Sequence, residues 1–421
     1  MKQMFVCAGI LSLCLLGFTT RNSEADFVKE NFKYANKQLK TMLQETGNKQ
    51  NAFPRTINKA GKLVTTNMYD WTPGFFPGSL WNAYEYMEDT EMKTAARTWT
   101  EQLEPLKTFT GHHDLGFMMY CSYGNAYQQT GNDAYKNILV QSARSLSTRF
   151  NPTTGCIKSW NTFKSWHGNK TYNFPVIIDN MMNLELLFFA SKVTGDTSYR
   201  HVAVSHAVNT MKYQIRKDYS SFHVVCYDTI NGKVAGQETA QGYADNSTWS
   251  RGQAWGIYGF TMVYRETRDP RFLKTAQGMA DFFIRHKNLP ADKVPYWDFN
   301  ANQAGYTPGV NSNARKVTQS YRDASAAAIV ASALFELSTY VSGAKSKEYK
   351  NAAIKMLHSL GSDAYRAKPG TNGNFLLMHC VGSIPHNGEI DVPLVYADYY
   401  FLEALNRYDR LLKGESLFAK G

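Results

Sequence analysis

The amino-acid sequence predicts an all-α fold, a closed α/α toroid of about six helical hairpins. Five places along the chain share one pattern: an apolar-periodic helix, a short polar turn, and a second amphipathic helix entered through an aromatic residue or Met. They are YEYMEDTEMKTAA, YQQTGNDAYKNIL, ASKVTGDTSYRHVA, YRETRDPRFLKTA and STYVSGAKSKEYKNAA. With Met92, Tyr135, Tyr199, Phe272 and Tyr349 as the shared position, the intervals are 43, 64, 73 and 77 residues, so the loops between hairpins vary in length. Such hairpins cannot bury their apolar faces alone and must stack on neighbours. Long, irregular units filling roughly 400 residues suit a closed ring better than an open solenoid, which repeats more regularly. Strand-like alternation is confined to short pieces such as Phe222 to Tyr227, which read as loop hairpins.

The elements follow in chain order. The N-terminal stretch MKQMFVCAGILSLCLLGFTTRNSEA has a basic residue at Lys2, an apolar core from Met4 to Phe18 and a small-x-small end at Ser23 to Ala25. This is the layout of a secretory signal peptide over residues 1–25. A lipoprotein site at Cys14 is the weaker reading, because bulky Leu13 stands where such sites keep a small residue. No later segment is long and apolar enough to span a bilayer, so residues 26–421 are expected to form one barrel domain, exported and periplasmic. Without Lys2, Arg21 and Glu24 the formal charge falls only from +11 to +10. The basic residues are scattered and no nucleic-acid-binding motif is present, so an acidic small molecule or polysaccharide suits the charge better than nucleic acid. Cys121, Cys156, Cys226 and Cys380 are too widely spaced for a zinc site, and nothing points to a metal or organic cofactor.

Three loops concentrate the tryptophans: WTPGFF from Trp71, SWNTFKSW with Trp160 and Trp166, and STWSRGQAW with Trp249 and Trp255. Such rings offer flat faces that match the apolar faces of pyranose sugars; closing the barrel end is the structural alternative. Asp114 in GHHDLGFMMY and Asp179 in FPVIIDNMMNLELLFFA each stand at the start of an apolar helix, at corresponding places in the hairpin pattern. Either could simply cap its helix. Met182, however, stands where a capping box wants Glu or Gln. Placed at one mouth of the barrel, two carboxylates form the layout of acid/base chemistry at a glycosidic bond, and their proximity is expected to raise at least one pKa. Adjacent His112, His113 and Asp114 converge poorly on a metal. Arg251, among aromatic rings, is placed to grip a carboxylate bidentately, and His223 in SSFHVVCYD stands out beside it.

The blocks WTPGFFPGSLW, HHDLGFMMY, PVIIDNMMNLELL, QGYADNSTWSRGQAW and PHNGEIDVPLVYADYYFLEAL together resemble the unsaturated glucuronyl hydrolases, glycoside hydrolase family 88. They run in family order across nearly all of the chain after the signal segment. The resemblance implies an (α/α)6 barrel and hydrolysis of oligosaccharides that carry a 4,5-unsaturated uronic acid at the non-reducing end, the products left by polysaccharide lyases. It implies Asp179 as the residue that protonates C4 and activates the water adding at C5, and Asp114 as the second essential carboxylate. His223, Gln241, Trp249 and Arg251 match substrate-contacting residues, and Trp71, Phe75 and Trp255 match aromatic walls.

Two alternatives stay open. An unsaturated rhamnogalacturonyl hydrolase shares the barrel and the chemistry, although its relatives typically have Gly-Asn where this chain has Gln253-Ala254. A barrel that only binds acidic sugars is the other, with retention of both aspartates against it. Which polymer supplies the substrate is not legible; Ser383, His386 and Asn387 are candidates for a neighbouring-sugar subsite.

Overall fold

A computed structural model of the chain describes residues 4–47 and 49–418, with side chains from residue 22 onward. Most of the expected signal segment, residues 1–25, including Cys14, thus lies outside the described side chains. In chain order the helices are α1 (Met4–Thr46), α2 (Phe75–Met87), α3 (Thr90–Glu101), α4 (Leu115–Met119), α5 (Asn125–Thr130), α6 (Asp133–Ser147), α7 (Leu184–Thr194), α8 (Thr197–Tyr213), α9 (Ser250–Thr267), α10 (Pro270–Arg285), α11 (Ala324–Ser338), α12 (Gly343–Leu360) and α13 (Val395–Lys413). Helices α4 and α5 are one rod interrupted by a π turn at Tyr120–Gly124. The inner ring runs α2, α4–α5, α7, α9, α11, α13 and closes where α13 packs on α2; α3, α6, α8, α10, α12 and α1 form the outer ring. This is the expected (α/α)6 barrel.

A two-residue turn builds four of the hairpins. Each inner helix ends on a residue in the left-handed region, Glu88, Gly131, Gly195 or Arg268, whose amide bonds back into the helix just ended. The next residue, Asp89, Asn132, Asp196 or Asp269, caps the outer helix with its side chain. Met92, Tyr135, Tyr199 and Phe272 then fall at the third position of their outer helices and are all buried. The fifth hairpin departs from this: Ser342 makes no side-chain cap and buried Tyr349 comes a turn later in α12.

The two rings differ in how their sequences are patterned. Outer helix α10 buries Phe272, Thr275, Ala276, Met279, Ala280, Phe283 and Ile284, a single stripe at helical spacing. Inner helix α11, enclosed by α9, α12 and α13, is buried on every side and mostly apolar, with its one carboxylate, Glu336, paired to Arg265 and Arg407. Because the tight turns all follow inner helices, the N-termini of the inner ring gather at the other end, where the loops are long. Among these loops, strands Pro175–Ile177, Val224–Tyr227 and Val234–Glu238 form a three-stranded antiparallel sheet. The alternation at residues 222–227 is therefore a strand from Val224, the middle one of that sheet.

Candidate active site

Strand register brings the first three site residues together. Ile177 pairs with Val224 and Val224 with Glu238, so the chain continues past one end of the sheet into Asp179, His223 and Gln241. The Ile178 amide donates to the His223 carbonyl at 3.0 Å. His223 Nδ1 accepts from the amides of Ala240 and Gln241, both at 3.1 Å. That nitrogen is therefore the unprotonated one, which leaves the proton on Nε2. Nε2 faces Asp179 Oδ2 at 3.6 Å, and both atoms are buried without a hydrogen-bond partner.

Asp179 lies in the first turn of a 3-10 segment, Ile178–Asn183, and caps nothing; Asp114, just before α4, makes no capping bond either. Both are 7% exposed. What surrounds Asp114 is a pair of histidines, with His112 Nδ1 3.2 Å from Oδ2 and His113 Nε2 3.3 Å from Oδ1. His113 is oriented from the Asp179 side. Asn183 Oδ1 accepts the Phe117 amide at 2.9 Å, which aims its Nδ2 at His113 Nδ1 at 3.3 Å and leaves the His113 proton on Nε2, toward Asp114. The approach is close enough that a Cβ on Gly116 would sit 2.4 Å from Asn183 Cα, so only glycine fits there.

Burial works against the ionised form of Asp114, but His113, His112 and Arg149 more than offset it and hold its pKa below the ordinary value. The expectation that the neighbouring carboxylate would raise a pKa is thus not met at Asp114; the basic groups around it win. Burial also lowers His113, with Asp114 and Asp179 opposing only in part. At His112 burial again pulls downward, but the Asp114 carboxylate and the Tyr69 carbonyl outweigh it and the net shift is upward.

The remaining predicted residues divide into walls and supports. Trp249 is buried with its ring 4.5 Å from that of His223 and carries the Arg251 guanidinium at 4.6 Å. Arg251, 1% exposed, donates from Nη1 to Asp323 Oδ2 at 3.3 Å and to the Val381 carbonyl, and from Nη2 to the Gly382 carbonyl at 2.7 Å. Arg251 thereby holds the hairpin of strands Cys380–Ser383 and Gly388–Val392, while its buried Nε has no hydrogen-bond partner and is left over for a substrate carboxylate. Gln241 meets the same hairpin, its Nε2 donating to the Gly382 carbonyl at 3.3 Å.

Phe75 and Trp255, expected as walls, are fully buried below the cleft, where they pack with Phe117, Tyr396 and Tyr400. Trp71 lies on top of this layer, 5.7 Å from the Phe75 ring, and reaches the cleft. The cleft has a volume of about 670 Å³, and Trp160, Trp166, Gln241, Asn311 and His386 also line it. His386 packs edge-on against Trp166 and hydrogen-bonds Ser383 at 2.6 Å, which joins the suspected subsite residues to the outer end. Sequence reasoning passed over Asn180, Asn183, Asp323 and Ser159. Only the asparagines left a signal, two buried amides one and four positions after Asp179 in an otherwise apolar run.

Comparison with known proteins agrees with this architecture. A sequence model of Glycosyl Hydrolase Family 88 matches residues 41–420. An unsaturated glucuronyl hydrolase from Formosa agariphila is 48% identical over 364 residues, 86% of each chain. An unsaturated chondroitin disaccharide hydrolase from Streptococcus agalactiae is 34% identical and covers 90% of this chain and 91% of its own. The crystal structure of an unsaturated glucuronyl hydrolase specific for heparin superposes with a TM-score of 0.84 at 44% identity, covering 94% of this chain and all of that one. Near-complete coverage by the family and by its members, on a barrel that gathers Asp114, Asp179 and His223 at one mouth, places the chain in glycosyl hydrolase family 88.

Proposed function

We propose that the protein is an unsaturated glucuronyl hydrolase that removes a 4,5-unsaturated uronic acid from the non-reducing end of lyase-generated, glycosaminoglycan-type oligosaccharides. The observation that carries this reading is the pair of unpartnered buried atoms, Asp179 Oδ2 and His223 Nε2, facing each other over 3.6 Å beside a tryptophan-lined cleft. Leaving a buried polar atom without a partner costs about 1–3 kcal/mol, and two such atoms set face to face are tolerated where a substrate completes them.

In the proposed reaction the Asp179 carboxyl gives a proton to C4 and takes one from the water that adds at C5, so its own protonation state is restored. The hemiketal so formed rearranges and the glycosidic bond is lost. The Nε2 proton of His223 supports the Asp179 oxygen, and Asp114, kept ionised by its histidines, accepts from sugar hydroxyls. Trp71 and Trp160 offer ring faces to the sugars, Trp249 backs His223 and Arg251, and Gln241 and Arg251 fix the hairpin that closes the cleft. The N-terminal pattern supports export through a signal segment at residues 1–25, with a periplasmic destination.

The test follows the ultraviolet band of the conjugated alkene on mixing enzyme with unsaturated disaccharides, sulfated, unsulfated and pectin-derived. Wild type is expected to remove the band from glycosaminoglycan-type substrates, and Asp179→Asn to lose this activity while staying folded. Normal turnover by Asp179→Asn would remove Asp179 from the mechanism. A preference for the pectin-derived substrate would establish the rhamnogalacturonyl reading instead, and binding without loss of the band the sugar-binding one.

A further inference from the structure

Arg149 follows the end of α6, outside every block that carries the resemblance, and its guanidinium makes four hydrogen bonds. Nε donates to the Lys158 carbonyl at 2.8 Å, Nη1 to the Thr110 carbonyl at 2.6 Å, and Nη2 to the Ser159 carbonyl at 3.1 Å and Asn161 Oδ1 at 3.3 Å. All four acceptors are neutral. Two of the loops that shape the site, residues 110–114 and 158–161, are thereby fastened to one side chain.

Ser159 extends this fastening to the other carboxylate. Its carbonyl also accepts the His113 amide at 3.1 Å, its amide donates to the Pro175 carbonyl at 2.9 Å, and its Oγ accepts the Ile177 amide at 3.0 Å. Pro175 and Ile177 belong to the strand that leads into Asp179, and His113 immediately precedes Asp114. One buried serine therefore touches the backbone of both catalytic segments, and Arg149 holds that serine from outside.

We infer that Arg149 is a positioning residue for the reaction, setting the distance between the Asp114 and Asp179 segments through Ser159 and placing an uncompensated positive charge behind Asp114. The inference rests on the reading of these aspartates as the reacting pair. Its two halves are separable. Lysine keeps the charge but cannot reproduce a planar set of four bonds, and glutamine loses both.

The groups facing Asp114 are His112 and His113 on its own segment, Arg149 from the end of α6, and Asp179 across His113; Lys158 stands beside Arg149 and His206 beside His113. Arg149 and Lys158 both stay cationic in the working pH range, and of the two it is Arg149 that acts on Asp114. Its removal is expected to let the Asp114 carboxyl protonate at higher pH.

The experiment measures pH profiles of kcat and kcat/KM, with thermal melts, for wild type, Arg149→Lys and Arg149→Gln on one unsaturated disaccharide. Arg149→Lys is expected to lose about 10- to 100-fold in kcat, the scale of a small misplacement of reacting groups, with the acid limb of kcat/KM unmoved. Arg149→Gln should show the same loss and an acid limb raised by roughly half to one unit. Wild-type kcat and limb in both variants, however far their melting temperatures fall, would make Arg149 merely structural and overturn the proposal. Should Arg149→Gln fail to fold, the kcat of Arg149→Lys decides alone. A wild type that leaves the alkene intact would instead refute the underlying assignment of the reaction.

Discussion

Replacing Arg251 with Met separates two roles for this residue: brace of the protein, as the structure places it, or clamp on a substrate carboxylate. Methionine roughly fills the volume and removes every donor. Asp323, fully buried, would keep its bonds to the Ser325 amide and hydroxyl and the Val381 amide but lose the only ion pair it makes among the described residues. Breaking a buried pair from one side costs about 3–5 kcal/mol, because the remaining charge stays buried. The Val381 carbonyl loses its guanidinium donor as well, whereas Gly382 keeps that of Gln241. In a barrel of roughly 400 residues the entropy of unfolding is about 0.8 kcal/mol/K, so 3–5 kcal/mol lowers Tm by about 4–6 °C. Calorimetry and steady-state kinetics on the same preparation decide the matter. The brace predicts that fall in Tm together with impaired turnover, partly recovered when Asp323→Asn is added to remove the stranded charge. An unchanged Tm with KM raised tenfold or more would refute the bracing argument and restore the clamp.

Two further outcomes follow from burial and charge. Trp71→Ala should raise KM with Tm nearly unchanged, since the ring is half-buried at the cleft, whereas Trp255→Ala should cost about 3–5 kcal/mol of stability; equal effects on both measurements would contradict their placement as wall and support. At the opposite end of the barrel Glu185 lines a second cavity of about 120 Å³ and is pushed up to about 7 by burial, only partly opposed by Arg265, while burial pushes Asp398 up to about 8. Between the ordinary carboxylate range and these values the folded state holds protons that the unfolded chain releases. Their contribution to stability is therefore present at low pH and lost as pH rises, by up to about 1.4 kcal/mol per unit for each group. Urea midpoints at pH 5.5 and 7.5 should show a smaller drop for Glu185→Gln than for wild type; the same drop in both would sink the argument.

The parts of the molecule that were legible in the sequence depend on neighbours in the chain. A left-handed residue followed by Asp or Asn, then a large apolar residue three positions after the cap, is local chemistry and reads directly as a hairpin. Asp114 and Asp179 were visible as polar residues at the heads of apolar helices, a place that their lack of any capping bond now explains by function. What was not legible depends on distant partners. Three donors of Arg251 go to Asp323, Val381 and Gly382, 72, 130 and 131 residues away, and nothing near Arg251 signals this. Phe75 and Trp255 sit in motifs full of aromatic residues, but a ring that opens a helix or faces its core side sinks below the surface that its neighbour lines. The tautomer of His223 follows from a strand register that places Ala240 and Gln241 opposite it. Arg149 carries no motif, and only its four acceptors, 9 to 39 residues away, single it out.

The central claim is that chemistry begins at the C4=C5 bond, with the proton on C4 delivered through Asp179. Running the reaction in D2O and examining the released uronate by NMR tests it most directly. The account predicts one deuteron at C4, loss of the alkene, and neither in Asp179→Asn. A product that keeps its alkene and carries no deuterium at C4 would show ordinary cleavage at the glycosidic bond and contradict the account.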